Sequence, residues 1–155
     1  MSQGAAGFPQ CKAITDQVRI RKKFYFIFTI DPVNPLTYVA MKIRENDIQK
    51  KARDIIDKED AVKVFLEMKN QIKKEQGCFI VYDFPFYSED RFLGNVLCLF
   101  SYIPENVSVL SKVAFSRASL DLPDQLGVAK HIQFHSVKDL DYSEIHKCIS
   151  SLKRN

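Results

Sequence analysis

The run Phe24–Ile30, FYFIFTI, packs three phenylalanines, a tyrosine and three β-branched residues into seven positions. Such residues favour strands, and successive strand side chains point to opposite faces, so neither face is left for water. The run therefore predicts a strand buried on both sides. CFIVYDF (Cys78–Phe84) and NVLCLFSY (Asn95–Tyr102) read as further strands. Leu36–Ile43 reads as a strand antiparallel to the first, after a turn with two prolines, and Lys130–Ser136 as a last strand. Pro85–Gly94 reads as the hairpin loop between the third and fourth strands.

Helical periodicity occupies the rest. Gln10–Val18 predicts a short helix. Lys58–Lys74 predicts a longer one, with Ala61, Phe65, Met68 and Ile72 on one face and Gly77 as its stop. Asp141–Leu152 predicts a terminal helix with Tyr142, Ile145, Ile149 and Leu152 inward. Pro104–Leu122 draws most notice. Pro104 and Glu105 suit a first turn, and Val107, Leu110, Ala114 and Ala118 make an apolar stripe. Ser108, Lys112, Ser116 and Ser119 fall opposite, and Pro123 with Gly127 predicts the stop near Leu122. Arg44–Asp57 is a charged connector. The order of elements implies one α+β domain over residues 1–155, a central mixed β-sheet sandwiched between α-helices, with residues 1–9 as a flexible arm.

Composition narrows the function classes. Of the 155 residues, 46% are hydrophobic and 27% charged, the balance of a globular protein. No apolar run is long enough to span a bilayer, so an integral membrane protein is not expected. The first ten residues lack a basic start and an apolar core, so a secretory leader is not expected and a cytosolic protein is, with nuclear access left open. Cys11, Cys78, Cys98 and Cys148 share no metal-binding spacing and are expected as free buried thiols, Cys78 and Cys98 lying inside apolar strand-like runs. A net charge of +4 suits an acidic protein surface or anionic lipid and falls short of a nucleic-acid signature. Arg19, Arg21, Lys22 and Lys23 form one compact basic cluster, which suits a solvated turn as well as an anion site.

The residues argue against catalysis. There is no glycine-rich phosphate loop, nucleophile elbow or HExxH motif. His131 and His135 would share a strand face but lack an evident third ligand, so no metal and no cofactor are expected. His146 and Cys148, two apart on a helix, do not face each other. Asp57, Glu59 and Asp60 suit a helix start, and Asp83, at a strand end, is an acid without a nameable partner. What remains is binding by surfaces.

Over residues 8–152 the chain resembles the actin-depolymerising factor/cofilin family. The likeness is strongest in LCLFSYIPENVSVLSKVAFSRAS (Leu97–Ser119), with FYFIFTID, CFIVYDF and LGVAKHIQF in the family's order. The resemblance implies the cofilin-like fold and a non-enzymatic, monomeric, cytoskeletal protein that binds monomeric and filamentous actin and promotes severing and depolymerisation. It implies a monomer-binding surface from Ser2, Gln3 and Gly4 through Gly7, with Lys112, Val113 and Arg117. It implies a filament surface from Glu89, Asp90, Arg91, Lys147, Lys153 and Arg154. Ser2 is the implied phosphorylation site, where a phosphate would add roughly two negative charges, and phosphoinositides are implied competitors.

The chain also departs from the family pattern. Tyr102 stands for a tryptophan, Cys78 for a basic residue, and Phe115–Ser119 for a Tyr-Ala-Ser-Ser-Lys type run. Leu110, Lys112 and Val113 replace a helix richer in cations with a methionine, and Arg117 is the candidate to supply the missing charge. Two alternatives follow. One is a binder of the branched-actin nucleation complex like glia maturation factor, which FIVY (Phe79–Tyr82) and Lys138–Ile149 also resemble. The other is a lipid-regulated adaptor that has lost actin.

Overall fold

The computed structural model describes residues 3–35, 37–51 and 54–154. Helix α1 spans Gln3–Arg19, β1 Lys23–Ile30, β2 Tyr38–Glu45, α2 Lys58–Gln71 and β3 Cys78–Ser88. Then follow β4 (Arg91–Tyr102), α3 (Val109–Leu126), β5 (Lys130–Phe134), a single 3₁₀ turn at Val137–Asp139, and α4 (Tyr142–Arg154). The five strands form one sheet in the order β2-β1-β3-β4-β5. All neighbours pair antiparallel except β4 and β5, which are parallel. A parallel pair needs a crossover, and α3 supplies it.

The aromatic strands are covered on both sides, as their composition demands. Alternate residues of β1 and β3 divide between two cores. Tyr25, Ile27, Ile80, Tyr82 and Phe84 face α2 and α4, while Phe26, Phe28, Phe79 and Val81 face α1 and α3. Phe65 of α2 lies at the centre of the first core, edge-on to Tyr82, Phe84, Phe100 and Tyr142 at 5.5–6.4 Å. In the second core, Phe79 stacks on Phe115 of α3 at 5.4 Å. Gly77 lets that ring approach, since a Cβ there would sit 2.9 Å from it.

Several boundaries differ from the sequence reading, each for a physical reason. The segment expected as an arm is helical from Gln3, extending the short helix expected at Gln10–Val18. Helix α3 begins five residues later than expected, because Ser108 accepts a hydrogen bond from the Ser111 N–H at 3.1 Å and is the true N-cap. Pro104 is buried in the loop before it. Pro123 does not stop the helix. The chain continues to Leu126, and Gly127 closes it in the left-handed region at φ 70°, with Val128 N–H reaching back to the Pro123 carbonyl at 3.1 Å. Arg19 of α1 completes that end, donating to the carbonyls of Leu126 (2.7 Å) and Gly127 (2.9 Å).

The expected loop at Pro85–Gly94 is mostly strand. Pairing continues to Ser88 opposite Arg91, leaving a two-residue turn at Glu89 and Asp90 with φ of 49° and 69°. Such a turn normally carries glycine or asparagine, so its sequence signature is missing here.

The division of cores makes a direct prediction. Phe65→Ala should lower unfolding free energy by about 3–5 kcal/mol, whereas Leu120→Ala, on the outer face of α3, should stay within about 0.5 kcal/mol. Urea unfolding of the two variants measures both.

Candidate functional site

Helix α3 turns Ala114, Phe115, Ser119, Leu122 and Leu126 inward. At about 100° per residue, the face opposite carries Val109, Val113 and Leu120 along its middle. These are 77%, 48% and 79% exposed, and Leu110 beside them is 55% exposed. Leu110, expected inward, is therefore outward, and Ser119, expected outward, is buried: the face that packs is the one carrying Phe115, which stacks on Phe79, with Leu122 and Leu126 in the same core. Ser116 and Lys112 border the apolar strip on one side, and Arg117 and Asp121 on the other. Lys112 shares a shallow concavity with Ile103, Pro104, Glu105, Ser116 and His135. Arg117, five residues on, stands about 140° around the axis from Lys112. It does not restore a cation beside Lys112.

The other departures fall in the interior. Cys78 is fully buried, and burial pushes its thiol up to about 12. A basic side chain would have no water there. Tyr102 stacks on Phe134 at 5.1 Å and donates its hydroxyl to the Lys74 carbonyl. Of Phe115–Ser119, the two ends are buried, Ser116 and Arg117 are exposed, and Ala118 is partly buried.

A second concavity of about 680 Å³ lies between the β3–β4 hairpin and α4. Phe86, Tyr87, Glu89 and Leu93 line one wall, and His146, Lys147 and Ser150 the other. The structure thus brings Glu89 and Lys147 to one groove. Asp90 turns to Lys58 of α2 at 3.6 Å. Lys153 and Arg154 continue the α4 backbone, and Gln3 and Gly4 begin α1. Ser2 lies outside the described residues.

His146 is the residue that sequence reasoning missed. Its Nε2 accepts the Tyr87 backbone N–H at 2.9 Å across 59 residues of chain. No local pattern could signal so long a contact. Of the other histidines, His131 meets Ser101 Oγ at 2.8 Å and His135 Nδ1 meets the Ile103 carbonyl at 3.0 Å. No three His, Cys, Asp or Glu side chains among the described residues are placed to hold a metal. No helix there is long and apolar enough to cross a membrane. Asp57 occupies the N-cap position of α2 without a side-chain cap bond.

Asp83 acquires partners that the sequence did not reveal. Arg21 Nε lies 3.3 Å and Asn95 Nδ2 3.1 Å from its Oδ2. Burial outweighs both and pushes the carboxyl up to about 7.

The family profile for cofilin/tropomyosin-type actin-binding proteins matches residues 8–150. The chain belongs to this cofilin/ADF family. No curated protein matches it by sequence. Among solved structures it resembles Plasmodium berghei actin depolymerization factor 2 at a TM-score of 0.68 and 15% identity, covering 90% of this chain and 91% of that one. Human coactosin-like protein aligns at a TM-score of 0.64 and 18% identity, covering 99% and 97%. Glia maturation factor from Caenorhabditis elegans aligns at 0.63 and 14%, covering 90% and 91%. At these identities the structural likeness is one of fold, and it matches the α+β sandwich of this cofilin-family chain.

The buried acid yields a pH prediction. An acid whose folded pKa is raised holds its proton in the native state where the unfolded chain has lost it. Its stabilising effect is present at low pH and is lost as pH rises from about 4 to about 7. Asp83→Asn cannot ionise, so its stability relative to the wild type should improve over that interval. A constant difference from acid to neutral pH would remove Asp83 as the cause.

Proposed function

We propose that this domain binds actin through the outer face of α3, with the start of α1 beside it. In a filament, the hairpin–α4 groove contacts the neighbouring subunit. The observation that carries the reading is the apolar strip of Val109, Leu110, Val113 and Leu120 on one otherwise well-packed helix. Isolated exposed apolar residues are ordinary, but four on one face of a helix rimmed by charge mark a protein partner. Lys112 and Arg117 supply the rim. Family membership supports actin as that partner.

On this reading Val113 and Leu110 fill an apolar cleft, and Lys112 pairs with an acid at its edge. Contact with two subunits at once selects one filament geometry, and the shift in population promotes severing and subunit loss. The filament side draws on Glu89, Asp90, Arg91, Lys147, Lys153 and Arg154. Phosphate on Ser2 would place charge where actin docks, and phosphoinositides would compete through the cations. A cytoplasmic, monomeric protein fits this role. The apolar character of the α3 strip also favours a second reading, a binder of the branched-actin nucleation complex.

Filament co-sedimentation and ADP-actin monomer binding test the proposal. Val113→Asp and Lys112→Ala should each lower monomer affinity by about tenfold or more, at least about 1.4 kcal/mol. Melting temperatures should stay unchanged, since both side chains stand in solvent. Wild-type affinity in both variants would exclude the α3 face. Failure of the wild type to bind either actin form would exclude the first reading and direct the assay to the nucleation complex.

A further inference from the structure

Helix α1 begins with residues that make a poor helix by themselves. Gly4 and Gly7 stand in its first turns, and Pro9 follows them. Glycine is among the weakest helix formers. Pro9 has no N–H to give the carbonyl of Ala5, four residues back, and its ring crowds that carbonyl. The first turns are therefore joined to the rest of α1 by a weakened helix, and tertiary contact has to hold them in place.

Tyr38, the first residue of β2, supplies that contact. Gly7 is buried against it: a Cβ at position 7 would lie 2.9 Å from the Tyr38 carbonyl oxygen, 3.0 Å from its nitrogen and 3.1 Å from its Cβ. Those atoms belong to a strand paired with Ile30 of β1 and cannot withdraw without disturbing the pair. The Gly7 backbone is not left-handed, so the close approach, and not φ, calls for glycine. Beside it the Phe8 ring tilts onto the Tyr38 ring at 5.6 Å, and Tyr38 in turn meets Phe28 of β1 at 6.1 Å. Tyr38 also senses α3. Burial first, then the Cys11 thiol and the Asp121 carboxylate, push its phenol up. Asp121 borders the apolar strip on the outer face of α3, so the seat of α1 and that strip converge around one side chain.

We propose that Gly7 is a positioning residue, seating the first turns of α1 on Tyr38 so that the start of the helix stands beside the outer face of α3. Gly7 was expected within the actin-contacting segment, but it is buried against β2. It acts through the place it gives the residues before it. A preformed surface binds more tightly than one ordered on contact, because no segment then loses its freedom on binding. The inference rests on the reading of the α3 face as the actin-binding surface.

Gly7→Ala in the full chain separates the seat from local propensity, because the two predict opposite signs. Propensity alone favours alanine and would slow amide hydrogen exchange at positions 7 and 8. A blocked seat should speed that exchange at least about fivefold. Equal or slower exchange would overturn the seat, whatever the domain binds. Affinity for ADP-actin monomer should fall about fivefold, as when one molecule in five keeps the seat. Wild-type affinity alongside fast exchange would overturn the coupling to binding. Adding Pro9→Ala returns an N–H to the helix and should restore slow exchange. The added Cβ still keeps position 7 off Tyr38, so affinity should stay low. Recovery of affinity in the double variant would mean that order alone suffices and would overturn the positioning role. If the wild type binds no actin, the coupling fails together with the actin reading, while amide exchange still decides the seat.

Discussion

Ten consecutive residues of β3, Cys78 to Tyr87, are buried. A strand in that condition must have paired strands at both edges and a helical layer on both faces, since any uncovered side would expose aromatic surface. Strands β1 and β4 close the edges. Helices α2 and α4 cover one face and α1 and α3 the other. The domain is assembled around this requirement. It also decides which side of α3 is free, because the Phe79–Phe115 stack and Leu122 commit the other side to the core.

Polar contacts then set where the layers end. Arg19 satisfies the last carbonyls of α3, so α1 and α3 meet at their C-terminal ends. Its positive charge there also suits the negative end of the helix dipole. On the other face, Glu67 of α2 accepts the Tyr25 hydroxyl at 2.5 Å and Arg44 Nε at 2.9 Å, tying α2 to β1 and β2. Arg44 lies over the Phe24 ring at 5.3 Å as well. The charged connector that sequence reading left undefined is thus anchored by its first residue. The two candidate surfaces inherit opposite orientations from the layers: α3 belongs to one face of the sheet and α4 to the other. The two surfaces therefore lie on opposite sides of the sheet.

How much was legible depended on whether the signal was local. Phe24–Ile30 and Cys78–Phe84 were readable because composition alone forbids exposure on either face. The stripe of Ala61, Phe65 and Met68 was readable because helical period and burial coincide. Helix α3 was harder. It is apolar on both sides, inward through Phe115 and Leu122 and outward through Val109, Val113 and Leu120, so periodicity offered two stripes. Packing of Phe115 on Phe79 chose between them. The hairpin tip was hidden because Glu89 and Asp90 adopt positive φ without the glycine that usually announces it.

The sequence by itself determined the layered α+β class, the double burial of the central strands, the exposure of Lys112 and the resemblance to the cofilin family. Each follows from properties of neighbouring residues: hydrophobic period, β-branching and motif order. Only the tertiary structure decided that Leu110 faces water, that Phe115 packs in the core, that Asp83 meets Arg21, and that His146 meets Tyr87. Those facts depend on pairs far apart in the chain. Their proximity is set by strand register and helix packing, which no local pattern encodes.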